Sequence, residues 1–408
     1  MREAGLPAIK ELLALPAVQA VMTVMNGGGE ETRLVGGAVR NALMGDKIAD
    51  IDMATTALPD VVMNRARQAG WKVIPTGIDH GTVTVVVDHI PFEITTLRED
   101  IETDGRHAVV RFGRSFEADA IRRDFTMNAL SMDISGTLHD YFQGLEDIKH
   151  RRVRFIGDAH QRIREDYLRI LRFFRFHAVY GRGAPDPEGL LASISGSHGL
   201  AQISAERIRV ELLKLLAGEG SVSAMEYMAD SGILLRILDG VVLLARGRRL
   251  PRQAASIEKL AAYAVLVRED ADRLRELLRL SNDEQRFLDN YALVLERVES
   301  RRDIWEVDDI RRIVVQKSAL CVLRVFEALK GEPGRYITPD ALTLLERYVS
   351  GQEIVPVFPL RGADFLEHGI PKGPEVGRLM ERARSLWFED ACPQGEGVSE
   401  NLLKRVLN

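Results

Sequence analysis

Hydrophobic and polar positions follow two different rhythms along this chain, and the change comes near residue 150. Residues 1–32 read as a short amphipathic helix stopped by Asn26-Gly27-Gly28-Gly29. Leu34-Val35 reads as a short strand running into two glycines, and a helix follows to Met44 and breaks at Gly45. Ile48 to Ala54 reads as a strand that carries Asp50 and Asp52, and Pro59 opens a helix that ends at Gly70. Two β-branched runs, Thr82–Val87 and Phe92–Leu97, are joined by Asp88-His89-Ile90-Pro91, which predicts a hairpin. The charged run Glu99–Gly113 has no clear period and reads as a mobile loop over an active site. Beyond residue 150 leucine-rich helical periodicity recurs at 160–180, 204–217, 222–238, 253–266, 270–278, 283–298, 307–316 and 318–330. Breaks fall at Gly181–Pro187 and Gly331–Gly334, and no repeat period supports a solenoid. The pattern predicts an α+β domain with a twisted sheet, followed by all-helical regions.

Composition narrows the class. At 408 residues the chain exceeds one compact core, so several domains are expected, with hydrophobic residues at 46% and charged residues at 28% as in a globular protein. The only cysteines, Cys321 and Cys392, form neither a disulfide framework nor a zinc pattern, and a reducing cytoplasm is the expected compartment. The first residues lack the basic and apolar regions of a signal peptide, and no apolar run is long enough for a membrane span. The formal charge of −5 argues against a basic coat protein, yet charge is uneven. Residues 149–175 carry nine Lys/Arg against three acids, a local +6 that suits a phosphate-binding cleft.

The candidate chemistry begins with Asp50-Ile51-Asp52. Residues i and i+2 of a strand share a face, and two neighbouring carboxylates repel unless a cation lies between them. Mg²⁺ is a hard ion that takes oxygen ligands and prefers phosphate as its other partner. Just upstream, Gly36-Gly37-Ala38-Val39-Arg40 joins a strand to a helix, where backbone N–H groups can approach phosphate oxygens and Arg40 would project one turn into the helix. Glu93, flanked by Phe92 and Ile94, faces away from both and could complete a metal site on the Asp50/Asp52 face.

The string Leu34-Val35-Gly36-Gly37-Ala38-Val39-Arg40-Asn41, followed by Asp50-Ile51-Asp52, resembles the first motif of class II tRNA nucleotidyltransferases, which bacterial poly(A) polymerases share. In that family the two aspartates serve Mg²⁺-dependent nucleotidyl transfer. Asn41 departs from the pattern, which has aspartate there. Further resemblances follow along the chain. Phe92–Asp100 with Thr103–His107 is one, and Ala120–Leu130 is the second family motif, which implies sugar recognition by Arg123 and Asp124, with Arg122 and Asn128 in the same string. Glu165–Arg175 resembles the nucleotide-selecting motif, which implies that Asp166 and Arg169 read the base edge while Arg172 and Arg175 support them or meet phosphates. Helical periodicity places Arg162, Glu165, Asp166, Arg169 and Arg172 within about a third of one circumference. Ser204–Leu216 resembles a bracing motif with Ser204 as N-cap and structural roles for Glu206 and Arg207; Leu360–Leu366 and Gly369–Gly377 resemble the tail.

The resemblance implies a nucleotidyltransferase palm head at 1–148, a helical neck at 149–220, a body at 221–345 and a tail at 346–408. It implies addition of C and A to the 3′ end of tRNA from CTP and ATP, by a monomer or homodimer. Poly(A) polymerase, or addition of A or C alone, is the nearest alternative; a catalytically silent RNA-binding protein is the rival from another class. A signalling phosphohydrolase would need a His-Asp metal pair, and the helical half contains none.

Overall fold

The computed structural model describes residues 5–48, 50–78, 81–104, 107–334 and 336–407. The chain forms two compact units, residues 1–236 and 237–408.

The first unit opens with two helices rather than one, α1 (Gly5–Ala14) and α2 (Pro16–Met25). Proline lacks an N–H and forces the preceding residue out of the helical region. Leu15 accordingly takes φ −59°, ψ 123°, and Pro16 begins a fresh helix. Then come β1 (Thr32–Val35), α3 (Gly37–Met44), β2 (Ile51–Thr55), α4 (Pro59–Gln68), β3 (Lys72–Gly77), β4 (Thr82–Val87) and β5 (Ile90–Thr96). With the short strands β6 (Arg98–Asp104), β7 (His107–Phe112), β8 (Ser131–Met132) and β9 (Leu138–His139) they make two sheets. The larger is mixed, ordered β3-β4-β5-β2-β1-β8-β9. Its one parallel pair among the described residues is β2 with β5, and the expected β4–β5 hairpin is present.

Two expectations give way here. Strand β2 starts at Ile51, not Ile48, so Asp50 lies just outside it. The parallel ladder begins at Ile51 opposite Phe92. One residue earlier the partner would be Pro91, which has no N–H to extend a ladder. The run read as a mobile loop contains instead the antiparallel pair β6–β7, pairing from Arg98 opposite Phe112 to Asp104 opposite His107 with a register shift between Asp100 and Glu102. A charged run lacks the apolar alternation that marks a half-buried strand, whereas ladder hydrogen bonds do not depend on side-chain polarity. Gly105 and Arg106 lie outside the described residues, and with them the centre of the Thr103–His107 string.

Helices then dominate: α5 (Phe116–Ile121), α6 (Gly144–Lys149), α7 (Ala159–Glu165), α8 (Leu168–Tyr180), α9 (Pro187–Gly196), α10 (Ala205–Leu216) and α11 (Ser221–Asp230). The continuous helix expected over 160–180 is broken between α7 and α8. Asp166 has φ −154°, ψ 106°, and its Oδ1 accepts from the Leu168 N–H at 3.0 Å. Aspartate side chains compete with the backbone in this way, which is why they favour caps over helix interiors. Tyr167, in the break, packs against Gly199 so closely that a Cβ there would lie 2.1 Å from the ring. Helix α8 buries Phe173, Phe174 and Phe176, and packs against α10 and α11. Phe173 stacks on Phe155 at 5.5 Å, and Phe176 lies 4.8 Å from Phe125. Phe125 and Phe155 are themselves joined by an antiparallel bridge, so one aromatic core holds α8 to the end of the sheet domain.

The regular elements of the second unit's described residues are helices, including Asn282–Glu299, Ala319–Leu329 and Pro374–Glu389, with one isolated parallel bridge between Trp305 and Ile337. Near its end Phe365, Trp387, Leu402, Leu403 and Val406 form a separate apolar cluster. Among the described residues no single helix is long and apolar enough to cross a membrane.

Candidate nucleotide site

A cavity of about 460 Å³ opens in the first unit between the sheet domain and α8. Its walls include Gly36, Gly37, Arg40, Asp52, Arg123, Asp124, Asn128, Asp166, Arg169 and Arg172. Ten of the candidate residues, from Gly36 to Arg172, are thereby brought together. Asp50, Glu93 and Arg175 do not line it, whereas Leu168, Phe176 and Arg207 do.

Strand β1 delivers the chain to Gly36, which adopts φ 63°, and α3 begins at the next residue. Only glycine takes this backbone without strain. A Cβ at Gly36 would also lie 2.9 Å from Nη1 of Arg123. The glycine turn is therefore what lets a guanidinium lie against the helix start, where the dipole is positive and an anion would be drawn. Arg123 is held by Asp119 of α5 through Nε at 3.2 Å and Nη2 at 3.0 Å.

Asp52 and Glu93 are opposite one another in the parallel β2–β5 register, hence on one sheet face. Asp52 is half-buried, and Glu93 and Asp50 are exposed. Burial, Glu93 and Asp50 together push the Asp52 carboxyl above its ordinary pKa, with Arg123 opposing them. A hard divalent cation would relieve that repulsion, and the oxygen donors fit one. Among the described residues no three His, Cys, Asp or Glu side chains are already gathered as a metal cluster.

Asp124 is buried and heavily engaged. Its Oδ1 accepts from the Phe125 N–H and from Asn128 Nδ2, both at 2.9 Å, and its Oδ2 accepts from Arg172 Nε at 2.8 Å and Nη2 at 2.5 Å. Burial opposes its charge, but Arg172, Asn128 and the Phe125 amide hold it below the usual carboxylate range. Behind Arg172 stands Glu211 of α10, 3.7 Å from Arg172 and 2.5 Å from Arg175. Glu211 is a buried acid inside an otherwise apolar helix face, and that misplacement was its sequence signal.

The expected cluster on one helix face is divided among different partners. Glu165 accepts from Arg162 at 2.7 Å and Arg169 at 2.6 Å. Arg169 also donates to the Arg162 carbonyl, again through Nη1, at 2.8 Å. Asp166 turns instead to Arg207 Nη2, 2.7 Å from its Oδ2. Arg207 thus braces the aspartate, as its motif implied, but it also reaches the cavity wall. Ser204 occupies the N-cap of α10 without a side-chain capping bond. Much of the local +6 is neutralised from outside the segment: Asp147 takes Arg152 and Arg154, Asp124 takes Arg172 and Glu211 takes Arg175.

Comparison with known proteins adds the following. A family model described as the poly A polymerase head domain matches residues 32–154, and one described as the probable RNA and SrmB-binding site of polymerase A matches 186–242. The chain is 37% identical to the mitochondrial CCA tRNA nucleotidyltransferase 1 of Danio rerio over 376 residues, 88% of this chain and 83% of that protein. It is 36% identical to the CCA-adding enzyme of Geobacillus kaustophilus over 390 residues, 92% of each. The crystal structure of the Bacillus stearothermophilus CCA-adding enzyme in complex with CTP superposes with a TM-score of 0.72 at 29% identity, covering 98% of both chains. With relatives of this identity spanning nearly its full length, and with the glycine turn, carboxylate strand and split helix converging on one cavity, the chain belongs to the family of CCA-adding tRNA nucleotidyltransferases.

Proposed function

We propose that this protein adds C and A to the 3′ end of tRNA from CTP and ATP without a nucleic-acid template, releasing pyrophosphate. The observation that carries the proposal is the shared cavity, onto which the sheet domain's Gly36, Gly37 and Asp52 open together with Asp166 and Arg169 of the helical segment. A nucleotide whose base meets the second pair has its phosphates within reach of the first group. The relatives named above carry the same activity in their names.

In this reading Asp50, Asp52 and Glu93 hold a divalent ion, Mg²⁺, which when bound neutralises the triphosphate and favours ionisation of the attacking 3′-hydroxyl. The protein's own share is positioning and charge complementarity. Gly36, Gly37 and Arg123 receive phosphate oxygens at the α3 start, and Arg172 stands by the sugar with Asp124 and Asn128 orienting it. Each Asp166 oxygen already accepts one bond and retains capacity for another, while Arg169's partners both engage Nη1 and leave its other N–H groups for a ligand.

Cytosine and adenine each present an exocyclic amine beside an unprotonated ring nitrogen. Uracil and guanine present a carbonyl beside a protonated nitrogen. A carboxylate paired with a guanidinium therefore accepts C and A and meets U and G with like groups facing. The division into head 1–148, neck 149–220, body 221–345 and tail 346–408 belongs to this proposal, with body and tail serving tRNA. The compact-unit boundary at 236/237 falls inside the body segment. Two buried free thiols, Cys321 and Cys392, suit a reducing cytoplasm. The test is to supply each nucleoside triphosphate separately to purified protein with tRNA lacking its last three, two or one nucleotides. Incorporation of C, C and then A in that order is expected. Long A tails on any RNA would favour poly(A) polymerase.

A further inference from the structure

The sequence pointed Arg40 at phosphate, but the structure spends its guanidinium elsewhere. Arg40 is buried, 7% exposed, although it sits in the first turn of a helix that lines an open cavity. Nη2 donates to the Tyr180 hydroxyl at 2.7 Å and to Asn41 Oδ1 at 2.8 Å, Nε donates to the same Asn41 oxygen at 3.1 Å, and Nη1 donates to Asn128 Oδ1. Four of its five N–H donors are thereby used within the protein. The guanidinium also lies 4.1 Å from the Tyr180 ring centre and 5.3 Å from that of Phe176.

The partners of Arg40 close a ring. Asn128 donates onward to Asp124, Asp124 accepts from Arg172, and Arg172 lies on α8 about two turns before Tyr180 on the same face. Phe176, midway between them, fills the ring's centre. Besides the aromatic core, helix α8 is fastened to the sheet domain by two polar contacts, Arg172–Asp124 beside the cavity and Tyr180–Arg40 farther along. A single polar contact leaves the tilt of the helix to apolar packing; two set its angle.

We propose that Arg40 and Tyr180 are positioning residues that set base selectivity by fixing α8 against the glycine turn, Arg40 acting as a strut rather than a phosphate ligand. This rests on the function proposed above. The base-reading pair stands at the α8 end and the carboxylates on β2 and β5, so the distance between them is only as definite as this joint. In a fixed frame, a wrong base that shifts to relieve its mismatch carries its α-phosphate out of line. With a loosened joint, the frame follows the base and the wrong nucleotide reacts.

Tyr180→Phe removes the hydroxyl acceptor while keeping the ring and its stacking on Arg40. The measurement is kcat/KM for CTP and UTP on tRNA lacking its last three nucleotides, with circular dichroism to verify folding. Loss of one buried, charge-assisted hydrogen bond is expected to lower the CTP-over-UTP ratio roughly tenfold, about 1.4 kcal/mol. The shift should come mainly through better use of UTP, with CTP turnover reduced less. Arg40→Lys keeps the charge but cannot serve Asn41, Asn128 and Tyr180 at once, and should lower the ratio at least as far; it also decides the matter if Tyr180→Phe fails to fold. An unchanged ratio with uniformly lower kcat in the folded variants would overturn the proposal and leave the contact merely structural. Failure of the unmodified protein to add C and A would instead overturn the function on which it rests.

Discussion

Asp124 offers a sharp test of how the cavity is built. Replacing it with alanine removes an acceptor for the Phe125 amide, the Asn128 side chain and two N–H groups of Arg172. Breaking a buried ion pair from one side typically costs about 3–5 kcal/mol, because the remaining charge is stranded. Here Arg172 keeps 31% side-chain exposure and has Glu211 at 3.7 Å, so water and the second acid offset part of the loss. The lower end, about 3 kcal/mol, is the expected decrease in unfolding free energy. Asp124→Asn, which keeps the shape and one acceptor oxygen, should lose roughly half of that. The pH dependence follows from the depressed folded-state pKa of Asp124. Its stabilisation is present above the ordinary carboxylate pKa near 4 and is lost as pH falls through the lower folded-state value, so the Asn variant should lack this acid limb. Urea titrations between pH 7 and pH 3 measure both effects. Kinetically, a misaligned Arg172 should weaken the preference for CTP over dCTP, since in the proposed function Arg172 stands by the ribose. An alanine variant within about 0.5 kcal/mol of the parent, the ordinary range for surface changes, with an unchanged CTP/dCTP ratio would refute the reasoning.

Other expectations follow from the same geometry. Because Asp52 has its pKa raised by burial and by Glu93 and Asp50, the folded state is penalised as pH rises above the ordinary carboxylate range. Asp52→Asn should therefore raise the melting temperature without Mg²⁺ at pH 8 and abolish the Mg²⁺-induced rise; a variant that still responds to Mg²⁺ would remove Asp52 from the ion site. Asp52→Ala and Asp50→Ala should abolish incorporation of both C and A while tRNA binding, read by gel shift, persists; Glu93→Ala should be severe. Arg207→Ala frees the Asp166 carboxylate and should lower CTP-over-UTP selectivity more than it lowers stability, and equal selectivity would reduce Arg207 to a brace. Gly36→Ala meets Arg123 at 2.9 Å and a φ of 63°, and should cost about 1–3 kcal/mol of local strain together with most of the activity, seen in melting and single-turnover assays.

Much of the fold was legible because its signals are local. β-Branched runs marked β4 and β5, Gly36-Gly37 marked the strand-to-helix turn, and the pattern Phe92-Glu93-Ile94 turned Glu93 away from its two apolar neighbours, where the β2–β5 register sets it beside Asp52. What escaped depends on partners distant in sequence. Nothing near Asp50 reveals that its ladder partner would be Pro91. The helix break at Asp166 arises from a side chain capping the next helix, and a periodicity plot over 160–180 cannot register it. Arg172 was expected to support the base-reading pair or meet phosphates, and nothing local shows that its carboxylate partners come from 48 residues before, at Asp124, and from Glu211 on another helix. The hydroxyl partner of Arg40 is likewise hidden from local sequence, 140 residues away at Tyr180. Asn41, where the family pattern has aspartate, still accepts two bonds from Arg40 and donates to the Lys47 carbonyl at 3.1 Å. The amide therefore holds Arg40 through charge-assisted hydrogen bonds, without the ion pair that an aspartate would form.

In the proposed function Asp166 and Arg169 read the base edge in place of a template. The measurement that decides this is kcat/KM for CTP, ATP, UTP and GTP on tRNA shortened at its 3′ end, for the parent protein, Asp166→Ala, Arg169→Ala and the double variant. Each mismatched contact in a closed site is worth about 1–3 kcal/mol, roughly one to two decades in rate. Both single variants should lose discrimination against UTP and GTP by that order, and the double variant should lose little more, because one reading unit has already been disabled. Full selectivity retained in either single variant, with only a uniform fall in activity, would contradict that role.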